Sequence, residues 1–328
     1  MARTGSLTGA RIQTKSSTFY NLSQVLQKIG TYILLIAWAF MAVTPFVWMI
    51  STSVMTLGEA QGTRFFPSEI HLENYLEAWS EADFAEYFFN SVQITVISLV
   101  GQVVVTILAA YGFARIKFPG RDLIFGVMLS TMMIPAMVIT IPNFLMVTWL
   151  GRIGSSLCGD PCASLANWPQ WIVMGLDKIG ICGDPCAWIN NWPSLTIPFW
   201  GSVFSIFLLR QFFAQVPDEL FDAAQIDGAG HLRFLWTVVL PLSKAPLMVI
   251  IVLSFMGSWN ALAWPLLVTN TPEWRPIAVG LYNFVQEAGQ EIHLMMAGAF
   301  IAVIPILILY FITQKQFTES IARSGLKG

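Results

Sequence analysis

The sequence predicts an all-α, polytopic membrane protein with six transmembrane helices, and three observations carry that prediction. The 328 residues are 55% hydrophobic and only 11% charged, with a mean hydropathy of +0.65, well above what soluble globular domains show. Apolar runs occur near 31–53, 88–114, 122–150, 195–215, 247–269 and 294–314. Each can cross a hydrocarbon core of about 30 Å at about 1.5 Å per residue. No Asp, Glu, Lys, Arg or His falls in the middle of any of these runs.

The first run follows about thirty polar residues and is itself span-length, so it reads as a retained helix and not as the short core of a cleaved signal peptide. Cationic residues sort the segments between the runs. The N-terminal tail, the loops after the second and fourth spans, and the C-terminal tail hold most of the Lys and Arg. Only Arg64, Arg152, Lys178 and Arg275 fall on the other side. Because cations are retained in the cytoplasm, both termini are expected there, in the inner or plasma membrane of a prokaryote. The acidic first loop, with Glu69, Glu73, Glu77, Glu81, Asp83 and Glu86, then faces outward.

Several chemistries are excluded or weakened. Proton-driven carriers usually hold ionisable groups inside the bundle, and none falls in the middle of a span; a sodium-coupled carrier, using carbonyls and hydroxyls, is not excluded. No G-x-x-x-x-G-K-[ST] loop occurs to cradle nucleotide phosphates. His71, His231 and His293 lie in different loops, and neither H-E-x-x-H nor G-x-S-x-G appears, so no catalytic residue and no metal site is assigned. No basic cluster points to nucleic acid.

The segment from Asp222 to Pro246, "DAAQIDGAGHLRFLWTVVLPLSKAP", interrupts the apolar pattern. Upstream, Val216-Pro217-Asp218-Glu219 starts a helix: proline fits the first turn, and the acids complement the positive helix end. Gly228 and Gly230 stop it. Ala223 and Ala224 let another surface approach closely, and Asp222 and Asp227 can pair with cations. A second amphipathic piece from Leu232 to Leu240 ends at Pro241, giving a helix–turn–helix knob on the cytoplasmic face.

Asp222-Ala-Ala, Gly228 and the later Val238-Val-Leu240-Pro241 resemble, in order and spacing, the EAA loop of membrane subunits of ATP-binding cassette importers. "LLRQFFAQVPDELFDAAQIDGAG" resembles the carbohydrate-uptake branch, specifically the second permease subunit of maltose-type transporters. "AYGFARIKFPGR" (Ala110 to Arg121), "MIPAMVITIP" (Met133 to Pro142), "WNALAWPLL" (Trp259 to Leu267) and the C-terminal "GLKG" are similar to the same subunit. One departure is that Asp222 stands where the family carries Glu. The resemblance implies that Asp222, Ala223, Ala224, Asp227, Gly228, Ala229, Leu240 and Pro241 form the segment that docks an ATPase. It also implies a second permease, two copies of a cytoplasmic ATPase that hold ATP and Mg, an extracytoplasmic sugar-binding protein and a sugar substrate. No cofactor is expected in this chain.

Pro135 and Pro142 are expected to interrupt the third span and Pro265 the fifth, exposing backbone carbonyls that are tolerated where they are buried or line a wet cavity. Ser130, Thr131, Asn143 and Asn260 are candidate hydrogen-bonding groups along such a path, with Trp259 as an apolar face for a sugar ring. Helix packing is the competing role for each. By the resemblance, the outer loop between the fifth and sixth spans meets the binding protein. Trp274, Arg275, Tyr282 and Phe284 are its candidate contacts, against interfacial anchoring of the aromatics.

"CGDPCASLANWP" at Cys158 and "CGDPCAWINNWP" at Cys182 form a tandem repeat in the outer loop between the third and fourth spans. The region 155–187 looks inserted relative to the family. All four cysteines, Cys158, Cys162, Cys182 and Cys186, lie there, on the oxidising side, which favours disulfides; three pairings are open, and a four-thiolate zinc site is the alternative.

The resulting expectation is a cytoplasmic tail over 1–30, a transmembrane permease domain over 31–315 with its coupling segment at 217–246, and a cytoplasmic tail over 316–328. The chain is expected to be a transport subunit and not an enzyme. A glycerol-phosphate or polyol importer remains an alternative. A stand-alone secondary transporter and a membrane-bound redox enzyme using the cysteine repeat are the rivals.

Overall fold

A computed structural model describes the backbone over 14–81, 84–157, 188–287 and 291–325, with side chains over 24–80, 84–152, 188–282 and 291–314. The four cysteines lie outside these residues. Among the described residues there are helices and no strands, as expected where a lipid core forces each segment to satisfy its own backbone groups.

The chain opens with α1 (Thr14–Ser53), a 40-residue helix of which Gln24–Ser53 is apolar enough to span. It begins well before the apolar run does, because nothing from Thr14 onward breaks helical geometry. Short helices α2 (Leu57–Ala60) and α3 (Glu73–Glu81) carry the first loop to α4 (Phe84–Arg115), the second unbroken span. The last span lies in α15 (Ile292–Gly325), apolar over Ile292–Gln314.

The other three spans are bent pairs. α5 (Arg121–Ser130), with the 3₁₀ turn Thr131–Met133, meets α6 (Ala136–Leu157) at 109°. Ile134 is extended there (ψ 123°), as the residue before Pro135 must be. Pro142, by contrast, sits inside α6 without ending it, contrary to the expected interruption. α7 (Trp192–Thr196) and its 3₁₀ extension Ile197–Phe199 turn by 42° into α8 (Val203–Ala214).

The fifth span is α12 (Lys244–Trp259); it breaks at 260–262 and resumes as α13 (Ala263–Val268). Pro265 therefore lies within the helix after the break and does not cause it. The 3₁₀ turn Pro272–Trp274 and α14 (Ile277–Glu287) complete the outer connection.

α4 is the hub. It packs against α7, α8, α12 and α14, while α15 packs against α1, α3 and α12. From Gln24 on, the side chains of α1 face outward almost throughout, which suits a helix solvated by lipid. One apolar cluster gathers Ile107, Tyr111, Leu209, Phe213, Phe234 and Ile250 at the C-terminal end of α4. Two others, around Phe84 and Trp259 and around Ile94 and Val268, lie toward its N-terminal end.

Candidate functional site: the coupling segment

After α8, Pro217 caps α9 (Asp218–Ile226), with Asp218 and Glu219 in the first turn. Its end is a Schellman motif: the amide of Ala229 donates to the Ala224 carbonyl (2.8 Å) and that of Gly228 to the Gln225 carbonyl (2.9 Å). This closure needs a left-handed residue, and Gly228 has φ +74°. The returning arm is α10 (His231–Phe234), a π turn over Leu235–Val239 and α11 (Leu240–Leu242). Pro241 has no N–H to donate to Thr237, and a widened turn just before proline relieves its clash with that carbonyl. The helical arm thus runs to Leu242, past the Pro241 at which the sequence placed its end. At Ser243 the chain bends by 84° into α12.

The knob is pinned to the C-terminal end of α4 at both of its ends. Arg115 donates to the Phe213 carbonyl (3.1 Å), to the Val216 carbonyl and to the Asp218 carboxylate. At the far end the Tyr111 hydroxyl meets His231 Nδ1 at 2.9 Å, and Phe221 stacks on the His231 ring, with centroids 4.6 Å apart. Arg210, on α8 just before the knob, ties that helix to α4 and α5: it donates to the Phe113 carbonyl (3.2 Å), lies 4.1 Å over the Phe125 ring and pairs with Asp122 at 3.7 Å.

These ties turn one face of α9 inward, with Phe221 and Ala224 against the cluster below. The opposite face carries Glu219, Leu220, Asp222, Ala223, Ile226 and Asp227, all exposed, with Ile226 88% exposed. Gly228 is exposed, Ala229 half-buried, Leu240 buried and Pro241 exposed. An exposed isoleucine between two carboxylates and an alanine is a surface for a partner with an apolar groove and cationic rim. The sequence identified this segment but assigned no role to Arg115, Tyr111 or Arg210. The motif "AYGFAR" holds two of the three, yet only the fold shows that its arginine reaches across to Asp218.

The residues proposed for a pathway make their hydrogen bonds within their own helices or to other elements. Ser130 and Thr131 are exposed, with their hydroxyls donating to the carbonyls of Val127 and Met128, and Asn260 donates to the Met256 carbonyl. Asn143 is half-buried. Trp259 is only 2% exposed; its indole donates to the Ala302 carbonyl (3.0 Å) and its ring stacks on Phe255.

The loop after α13 is fixed by side chains from elsewhere. Asn90 donates to the carbonyls of Glu273 (2.9 Å) and Arg275 (3.2 Å), and the Ile277 amide donates to Ser91 Oγ. Asn190 Oδ1 accepts from the amides of Asn270 and Thr271, both at 3.0 Å. Trp274 and Arg275 are half-buried and Tyr282 is 44% exposed; the Phe284 side chain lies outside the described ones. This loop and the coupling segment sit at opposite ends of α4, whose 32 residues span about 48 Å.

Six spans, three of them bent, with a clamped knob at one end of α4 define a membrane-embedded protein. Residues 102–323 match the family described as binding-protein-dependent transport system inner membrane component, and the chain belongs to that family. It is 25% identical to the diacetylchitobiose uptake system permease protein NgcG of Streptomyces coelicolor, over 90% of this chain and 88% of that protein. It is 29% identical to the sn-glycerol-3-phosphate transport system permease protein UgpE of Yersinia enterocolitica, over 75% of each. The osmoprotective compounds uptake permease protein GgtD of Synechocystis is 28% identical over 92% of this chain and 93% of its own length. In fold the chain is similar to a chain of a bacterial transporter involved in import of the acidic polysaccharide alginate, with a TM-score of 0.68 at 22% identity over 93% of this chain and 99% of that one. A chain of the alginate transporter in complex with an alginate pentasaccharide-bound periplasmic protein gives 0.51 at 15% identity.

Proposed function

We propose that this permease is the second membrane subunit of an ATP-driven importer that moves a sugar or oligosaccharide handed over by an extracytoplasmic binding protein. The coupling segment from Asp222 to Pro241 docks a separate ATPase, present in two copies and holding ATP and Mg. A second permease completes the membrane dimer. Both termini lie in the cytoplasm, the outer insertion covers 155–187, and Trp274, Arg275, Tyr282 and Phe284 face the binding protein.

The observation that supports the reading best is the clamp of Arg115 on Phe213, Val216 and Asp218. A force on α9 from a closing ATPase passes through it into the C-terminal end of α4, and so into the span that packs against most of the others. Rigid elements joined by short, charge-assisted hydrogen bonds carry such a displacement with little loss.

A glycerol-phosphate or polyol importer is the second reading, favoured by the similarity to UgpE. Reconstitution tests the function directly. Proteoliposomes holding both permeases and the ATPase should accumulate solute only with internal-face ATP and external binding protein. Downhill transport by this chain alone, without ATP, would instead make it a secondary transporter.

A further inference from the structure

Between α4, α8, α12 and α13 lies a cavity of about 410 Å³. It is not lined by the residues that the sequence suggested for a pathway. Its polar wall is built from Ser98 and Gln102 near the midpoint of α4, Ser202 and Ser205 at the start of α8, and Ser254 and Ser258 on α12. Phe199 and Trp264 form an aromatic wall, edge to face at 5.8 Å, with the Trp264 indole held by the Ser194 carbonyl at 2.8 Å.

Three features mark this space as a binding site and not a packing defect. Two of the broken spans open onto it: Gly201 and Ser202 come from the break before α8, and Ala261 from the break before α13. Discontinuous helices near the bilayer midplane are where transport proteins place their solutes. Gln102, Ser205 and Ser202 are linked in a hydrogen-bonded chain (3.3 and 2.9 Å) that fixes their orientation. Ser98 and Ser254, 4% and 9% exposed, line the cavity, and their hydroxyls have no hydrogen-bond partner. Buried hydroxyls without partners are unfavourable and are satisfied when a polar ligand arrives.

No lining residue carries a charge. An anion placed here would lose its hydration with no cation to replace it, whereas a ligand bearing several hydroxyls and an apolar ring face finds donors, acceptors and an aromatic platform in a volume ordinary for a small-molecule site. We propose that this cavity is a transient binding site, within this subunit, for an uncharged polyhydroxylated solute. The proposal rests on the importer reading above and narrows it: the glycerol-phosphate alternative does not fit.

The test uses the complete transporter in proteoliposomes with labelled maltose, diacetylchitobiose and sn-glycerol 3-phosphate. The wild type should take up a neutral disaccharide and leave the phosphate outside. Ser98→Ala combined with Ser254→Ala should raise the half-saturating concentration about tenfold. Gly257→Leu is the second variant. Gly257 lines the cavity, and a Cβ there meets nothing within 4 Å, so the side chain starts into open space and takes up room in the site, and uptake should fall at least about tenfold. Uptake of the phosphate alone, or unchanged uptake by both variants, overturns the site and leaves the importer reading standing. A chain that assembles with no ATPase overturns that reading and the site together.

Discussion

The Arg115 guanidinium, 9% exposed, joins the Asp218 carboxylate, 91% exposed, across the junction between α4 and the coupling helix. The two ends of this contact are unequal. An ion pair with so exposed a carboxylate contributes about 0–1 kcal/mol, whereas charge-assisted bonds from a buried guanidinium to the Phe213 and Val216 carbonyls contribute about 1.5–3 kcal/mol each. Asp218→Asn should therefore leave uptake within about twofold of wild type. Arg115→Lys, which loses the planar fork, and Arg115→Ala should each lower it about tenfold or more at equal membrane abundance. Equal losses for Asp218→Asn and Arg115→Ala would show that the ion pair, and not the carbonyl contacts, carries the coupling.

A second prediction concerns helix packing. A Cβ on Gly101 would sit 2.2 Å from the Trp200 ring, whereas one on Gly112, on the same helix, meets nothing within 4 Å. Gly101→Ala should destabilise the subunit by about 1–3 kcal/mol through overpacking. Gly112→Ala should be neutral or slightly stabilising, by up to about 1 kcal/mol. Heating each variant in detergent and following the monodisperse fraction by size exclusion distinguishes them; equal midpoints would contradict this packing.

The outer loop supplies a third. Asn190 has φ +58° and accepts from two amides of the 270–271 turn. Asn190→Gly keeps the backbone but loses those bonds, and Asn190→Ala loses both advantages. If this loop receives the binding protein, the Kd of that protein should rise for Gly, by about fivefold, and further for Ala. An unchanged Kd in both would place the docking surface elsewhere.

A fourth follows from His71, in the first loop. Its hydrogen bond with Glu73 raises its pKa above the ordinary 6.5, against desolvation and with help from the charges of Glu73, Glu69 and Glu59. A raised folded value means that the protonated form is preferred in the fold. The stabilising contact is then fully present below pH 6.5 and is lost as pH rises through the folded value. Histidine-specific hydrogen exchange followed by mass spectrometry should show a midpoint above that of Glu73→Gln. Identical midpoints would remove the contact.

Composition and run length were sufficient to read the class of fold and the number of spans, because lipid leaves few alternatives to helices of about 20 residues. They did not reveal that half of the spans are bent; prolines pointed to breaks in the third and fifth, and nothing pointed to the fourth. Pro135 breaks its helix while Pro142 does not, a distinction that residue type alone does not make. The helix Asp218–Ile226 was legible because its ends are written in local chemistry, Pro217 at one end and Gly228 at the other. Its clamp was not, since Arg115 lies a hundred residues away from Asp218. Likewise, Trp259 is an aromatic in a suggestive place, yet its indole bond to Ala302 depends on the last helix. The serines of the cavity are scattered over three helices and have no spacing that sequence alone would single out.

The central claim is that α9 and the Gly228 turn dock a separate ATPase. Gly228→Asp puts a side chain at φ +74° and a third carboxylate beside Asp222 and Asp227, so it should spoil the docking face without touching the spans. The direct measurement is affinity purification of wild type and Gly228→Asp from native membranes in mild detergent, with the co-purifying proteins identified. A stoichiometric ATPase with the wild type, lost from the variant while a second permease is retained, is the predicted result. A wild-type chain that comes out alone or only with itself would contradict the account.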